Sequence, residues 1–225
     1  MGIEERKERQ RRSLRQEILS AALDVFANEG YHQLSMRKLA EKIEYSPTTI
    51  YLHFKDKAEL FECVCEQTFS QLCDVLSKIV VSTADPLEAF EKSCRAYVDF
   101  GLQHPDQYTV AFLLDSGQRS TPLAPDEVLQ KYPKAMEAFY QLRGGVAECM
   151  AKGRFAEGDP DVMSQVVWAA LHGLTALLIV KPSFPWCDRN TLIDVSIQTM
   201  VRSMRPGSTV SFPALSSFAQ VAESL

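Results

Sequence analysis

The chain has 225 residues, 46% of them hydrophobic and 24% charged, with a formal net charge of −5. That length accommodates a small head and a larger second domain, and the apolar share is enough for a sizeable core. The negative total excludes a uniformly basic surface, so any contact with a polyanion has to be local.

The distribution of charge supports a local contact. Residues 1–60 hold eleven Lys/Arg against ten Asp/Glu, whereas the remainder carries −6. The start of the chain is its most basic part, with Arg6, Lys7, Arg9, Arg11, Arg12 and Arg15 set against Glu4, Glu5 and Glu8. Residues 1–11 are expected to form a flexible basic arm, either a solvated tail or one that tracks phosphates or enters a minor groove. No apolar stretch of the kind a signal peptide needs follows this charged start, so a cytoplasmic location is expected.

The first helix is expected over about residues 13–28, opened by the capping box Ser13-x-x-Gln16. The stretch Ser35 to Leu60, SMRKLAEKIEYSPTTIYLHFKDKAEL, then holds three helix starts within twenty-two residues. Ser35 caps a short second helix ending near Ile43, with Leu34 and Leu39 as its hydrophobic staple. Ser46 caps a third, with Pro47 at the first helical position and Tyr45 and Ile50 as staple. Asp56 caps a fourth, and Glu59 completes a capping box. The fourth helix is expected to reach about Val80 on the stripe Leu60, Phe61, Val64, Phe69, Leu72, Val75, Leu76 and Ile79.

Asp85-Pro86 opens a fifth helix reaching His104, and Pro105 a short sixth that ends before a loop at 117–125. A seventh spans about 133–152, with the pair Gly144-Gly145 marking a bend or close packing. Asp159-Pro160 opens an eighth, stopped by Lys181-Pro182, and Asp188 a ninth, ending at Arg205-Pro206-Gly207. The eighth is apolar nearly all round. It is too short and interrupted, by His172 and Thr175, for a membrane span and is expected to be a core helix, either central in its fold or buried on both sides. The tail, 208–225, includes a possible short helix from Phe212.

The third helix has a distinctive surface. Ile50 and Phe54, at i and i+4, are expected inside, leaving Thr48, Thr49, Tyr51 and His53 outward. Hydroxyl and imidazole groups reach phosphates or base edges, and Lys55 and Lys57 follow at the next helix start. A short helix presented by a tight turn is a shape that a major groove admits. The alternative is a solvated face on a small helical hairpin.

These residues resemble the N-terminal domain of the TetR/AcrR family of bacterial repressors. Phe26 and Gly30 close the first helix, Ser35 opens the second and Leu39-Ala40 packs it; Ser46, Tyr51-x-His53-Phe54 and Lys57-x-x-Leu60 complete the pattern. The resemblance covers residues 12–72, with the motif at 35–54. One position departs: the family pattern has Gly at the turn and this chain has Glu44, which costs on the order of 1 kcal/mol if φ is positive there. The fragment Trp168 to Gly173 also resembles a TetR C-terminal subtype named for Trp, His and Gly.

The resemblance implies an all-α protein of about nine helices: a three-helix DNA-binding domain, then a C-terminal effector-binding and dimerisation domain over 73–207. Its implied function is a homodimeric repressor that releases an inverted-repeat operator on double-stranded DNA when a small, largely apolar effector binds. Tyr45, Thr48 and Thr49 would approach bases; Ser35, Tyr51, His53, Lys55 and Lys57 would hold phosphates; Arg37 would serve in either role, and Ser46 would cap the recognition helix. Candidate pocket residues are Tyr97, Phe100, Tyr108, Phe112, Phe139, Trp168 and His172, with Tyr140 beside them. Each also fits ordinary core packing. Ala169, Ala170, Gly173, Ala176 and Leu177 would allow close approach of a partner helix.

No Ser-His-Asp, paired-carboxylate or glycine-rich phosphate arrangement converges, so no enzyme is expected. Cys63 and Cys65, at i and i+2, face apart, and the histidines are scattered, so no metal or cofactor is expected. The alternatives are a helical protein-interaction module, which has no need of the ordered Thr, Tyr, His and Lys surface, and a thiol-sensing regulator.

Overall fold

The computed structural model describes residues 2–114, 127 and 130–209, and the elements described are helical. The expected loop at 117–125 and the tail helix from Phe212 lie outside the described residues. The helices are α1 (Ile3–Glu29), α2 (Met36–Lys42), α3 (Pro47–Tyr51), α4 (Lys57–Ser82), α5 (Pro86–Gln103), α6 (Pro105–Tyr108), α7 (Pro133–Ala151), α8 (Pro160–Val180) and α9 (Arg189–Met204). A 3₁₀ turn at Tyr31–Gln33 precedes α2, and a π-helical turn at Thr109–Leu113 continues α6. The all-α expectation holds, and the capping residues act as expected except Ser13, which lies inside α1 rather than at its start. The Ser35 side chain accepts from the Lys38 amide, Ser46 from Thr49, Asp85 from Leu87 and Glu88, and Asp188 from Thr191.

The chain divides into two compact units, Met1–Thr68 with Pro105–Ala124, and Phe69–His104 with Pro125–Leu225. Two features of the first unit differ from expectation. Residues 3–11 are not an irregular arm but the first turns of α1, which starts ten residues before Ser13. Glu, Arg, Lys and Gln are good helix formers, Glu4 and Glu5 occupy the first turn, and Glu8 pairs with Arg12 one turn on at 3.5 Å. The second difference is the α6 segment, expected in the larger domain. It packs on α1, with Tyr108 and Val110 fully buried, and so joins the first unit. The rest of this core comprises Ile18, Ala22 and Phe26 of α1, Leu39 of α2, Ile50 and Phe54 around α3, and Leu60 and Phe61 of α4. Phe26, Tyr31 and Phe61 meet in a cluster with centroids 5.2–5.7 Å apart.

In the second unit α5 is central, packing against α7, α8 and α9. Arg95 of α5 reaches Asp194 at 2.8 Å and Asn190 at 2.7 Å on α9, and Arg143 of α7 grips Asp161 of α8 through both carboxylate oxygens. Gly144 and Gly145 do not mark close packing. α7 runs on through them, and an added Cβ would meet nothing at Gly144 and only ordinary contact at Gly145. α8 departs from expectation too. It is not buried on both sides: Met163, Val167, Leu171, Thr175 and Leu178 face the core, while Val166, Leu177 and Val180 are about half exposed. By length and composition α8 could cross a membrane, yet one side of it packs into the core and Asp159 caps its N-terminus.

Candidate nucleic-acid interface

The α2–α3 junction is a Schellman motif. The Tyr45 amide donates to the Ala40 carbonyl at 2.9 Å and the Glu44 amide to Glu41 at 3.3 Å. That geometry requires a left-handed residue between them, and Glu44 supplies it at φ 60. Ser46 then starts α3. Its Oγ accepts from the Thr49 amide at 3.2 Å and lies 2.9 Å from Thr49 Oγ1. A cap of this kind contributes about 1 kcal/mol. Ile50 and Phe54 are buried as expected, anchoring the inner face of a five-residue helix that has little stability of its own.

The outward surface carries Tyr45, Thr48 and Tyr51, all exposed, together with Leu52 at 71%. Thr49 and His53 are half-buried at its edge. His53 is held below its ordinary pKa of 6.5, first by burial and then by the positive charges of Arg11 and Arg15. At the following helix start, Asp56 Oδ1 accepts from the Glu59 amide at 2.9 Å and Glu59 Oε2 accepts from the Lys55 amide at 2.6 Å. The Lys55 side chain stays exposed. Lys57 is held inward: its Nζ lies 4.3 Å from the Tyr31 ring centroid and donates to the Tyr31 carbonyl at 3.3 Å. Ser35 is occupied as a cap, and Arg37 pairs with Glu41 at 3.2 Å on an open surface. Lys42 pairs with Asp24 at 2.7 Å and Lys38 with Glu29, fixing α2 on α1. The Lys42 hydrogen bond holds the Asp24 carboxyl below its ordinary range.

Residues 18–64 match the family model for bacterial regulatory proteins of the tetR family. Residues 90–204, about half of the chain, match that for the tetracyclin repressor-like C-terminal domain. This chain belongs to the TetR family. It is accordingly a helix-turn-helix DNA-binding regulator and not an enzyme. The C-terminal match is described in those general terms and does not name the Trp-His-Gly subtype.

Among relatives, the HTH-type transcriptional activator FasR of Mycolicibacterium smegmatis is 29% identical over 41% of this chain. That match spans only 42% of FasR's own length. The fatty acid metabolism regulator protein of Bacillus subtilis is 24% identical over 72% of this chain and 82% of its own. The solved structure of the fatty acid degradation regulator FadR from Bacillus halodurans shares the fold, with TM-score 0.71 at 20% identity, covering 84% of this chain and 99% of that one.

The candidate effector residues of this TetR-family chain fall in different places. Tyr108 and Phe112 stack at 4.5 Å in the first unit. Tyr97 and Phe100 are buried on α5 in the second. Phe139, Trp168 and His172 do come together on α7 and α8, with centroids 6.2 and 6.4 Å apart, and Tyr140 lies beside Phe139. Trp168 is 44% exposed, and burial alone lowers the pKa of His172. An open apolar groove in this unit is lined instead by Pro133, Met136, Glu137, Tyr140 and Gln141, of which Tyr140 alone is among the aromatic candidates. Ala169, Ala170 and Leu177 are exposed and Gly173 and Ala176 half-exposed along α8. Cys65, Cys73, Cys94 and Cys149 are buried; burial pushes the Cys149 thiol up to about 12 and Cys94 in the same direction, which keeps both unreactive.

Proposed function

We propose that this TetR-family regulator is a homodimeric repressor that binds an inverted-repeat operator and leaves it when a small apolar effector occupies the second unit. The observation that carries the reading is the pairing of two exposed surfaces on one chain. One is the hydroxyl- and tyrosine-rich α3 face; the other is the apolar face of α8. Thr48 and Tyr45 approach bases, while Tyr51, His53 and Lys55 hold phosphates. The stripe Val166, Ala170, Gly173, Leu177 and Val180, exposed except for half-exposed Gly173, recurs at helical spacing, and its small central residues admit a partner helix closely. A homodimer joined there would carry two α3 helices, one for each half-site of an inverted repeat.

The effector class rests on less: the apolar and aromatic residues of the second unit, and two relatives whose names refer to fatty acids. Because FasR is named an activator, the sign of regulation is to be read in a reporter assay. The deciding experiment is in vitro selection of bound DNA with the purified protein. Enrichment of a palindrome whose affinity falls steeply with salt is expected; selection that returns no enriched palindrome at low salt contradicts the reading. Fatty acids and related apolar molecules are then titrated against the recovered site.

A further inference from the structure

Because α1 runs unbroken from Ile3, its basic residues are held at fixed spacing. Lys7, Arg11 and Arg15 lie at i, i+4 and i+8 and share one face. The root of that face is anchored beside the recognition segment. The Arg15 guanidinium stacks over the Phe54 ring at 4.6 Å, and its Nη2 donates to Cys63 Sγ at 3.3 Å. The charges of Arg11 and Arg15 both act on His53, the residue before Phe54. Lys7 and Arg11 are exposed. At the rise of an α-helix, Lys7 stands about 12 Å further along the axis than Arg15. Two of the neighbouring acids are engaged elsewhere, Glu8 with Arg12 at 3.5 Å and Glu5 with the Gly2 amide at 2.8 Å; Glu4 lies at the outer end.

We propose that Lys7 and Arg11 form a preorganised phosphate-binding ridge on α1, which extends the helix-turn-helix footprint along the backbone of duplex DNA. This rests on the DNA-binding reading of the α3 face and adds a second contact surface to it. Charge complementarity and continuity with α3 select the occupant. A helical ridge also loses less conformational freedom on binding than a flexible arm would. Its contacts are to phosphates, so they add affinity for every sequence and read none.

The test measures affinity of the full chain for a short mixed-sequence duplex over a salt series, with circular dichroism to verify helix content. The double variant Lys7→Gln, Arg11→Gln is expected to bind more weakly and to flatten the slope of log affinity against log salt by about 2. Arg6→Gln, about 140° around the helix from Arg11, is expected to leave the slope unchanged. Gln10→Pro, which breaks α1 while keeping every charge, is expected to weaken binding as well. An unchanged slope in the double variant, an equal loss in Arg6→Gln, or full affinity in Gln10→Pro overturns the ridge. Absence of wild-type binding at low salt overturns the DNA-binding reading itself, and so is distinguishable from failure of the ridge alone.

Discussion

Glu44 occupies a left-handed position that glycine adopts without penalty, between two helices whose relative placement depends on that turn. Glu44→Gly is therefore expected to stabilise the protein by about 1 kcal/mol, less the added freedom of the unfolded glycine. It also removes a negative charge beside the DNA face, so affinity should rise; denaturant melts and binding curves check the two effects separately. Lys55→Ala should weaken binding to all sequences alike, because its side chain stays exposed beside α3, whereas Lys57, turned onto Tyr31, serves stability. Thr48→Ala should instead change which bases are preferred, and equal, uniform losses in both variants would remove Thr48 from base readout. His53 and His172 both have folded pKa values below 6.5. The unfolded chain then binds more protons in acid, so their contribution to stability is complete above about pH 6.5 and is lost as pH falls through the folded values. Urea melts between about pH 7.5 and pH 5.5 should show this loss, reduced in His53→Gln.

At the scale of helices, the sequence was most legible where side chains act on their own neighbourhood. Ser35, Ser46, Asp85 and Asp188 cap as their spacing indicates because capping involves only the next three residues. Tertiary choices were less legible. Nothing local announces that Lys57 turns toward Tyr31, or that the segment after Pro105 packs on α1. The basic arm is helical rather than flexible because Glu, Lys, Arg and Gln are good helix formers, a signal that the Glu8–Arg12 spacing carries in the sequence. Glycines separate the two kinds of helix surface. Gly144 is exposed and an added Cβ meets nothing, so Gly144→Ala should raise stability by about 0.5–1 kcal/mol in thermal melts. Gly173 has the same freedom within one subunit. Gly173→Ala should favour the helix yet weaken a closely packed dimer, and Leu177→Lys should shift sedimentation toward the monomer. A dimer that tolerates both would place the contact elsewhere.

Across the whole molecule, effector and operator are expected to oppose one another. Linkage requires that operator DNA weaken the effector by the same factor by which the effector weakens DNA, and paired titrations measure both. Trp168→Leu should alter effector response if the Phe139–Trp168–His172 cluster contacts the ligand, and dimer stability if it borders the partner. A stable dimer with undiminished response would assign it to neither. The two-unit organisation was legible only in outline, because a boundary drawn along the chain cannot anticipate a segment that returns to the first unit from residue 105.

The exposed face of α8 also has a consequence for dosage. If operator binding requires two subunits joined through Val166, Leu177 and Val180, active repressor grows with the square of subunit concentration while subunits are scarce. A modest rise in synthesis then switches the operator more sharply than a monomeric binder could. Below that threshold, each unpaired subunit carries an apolar surface that invites aggregation or proteolysis. Leu177→Lys should leave promoter output nearly unresponsive to expression level, and should lengthen the lifetime of the scarce subunit even as it costs the protein its grip on DNA.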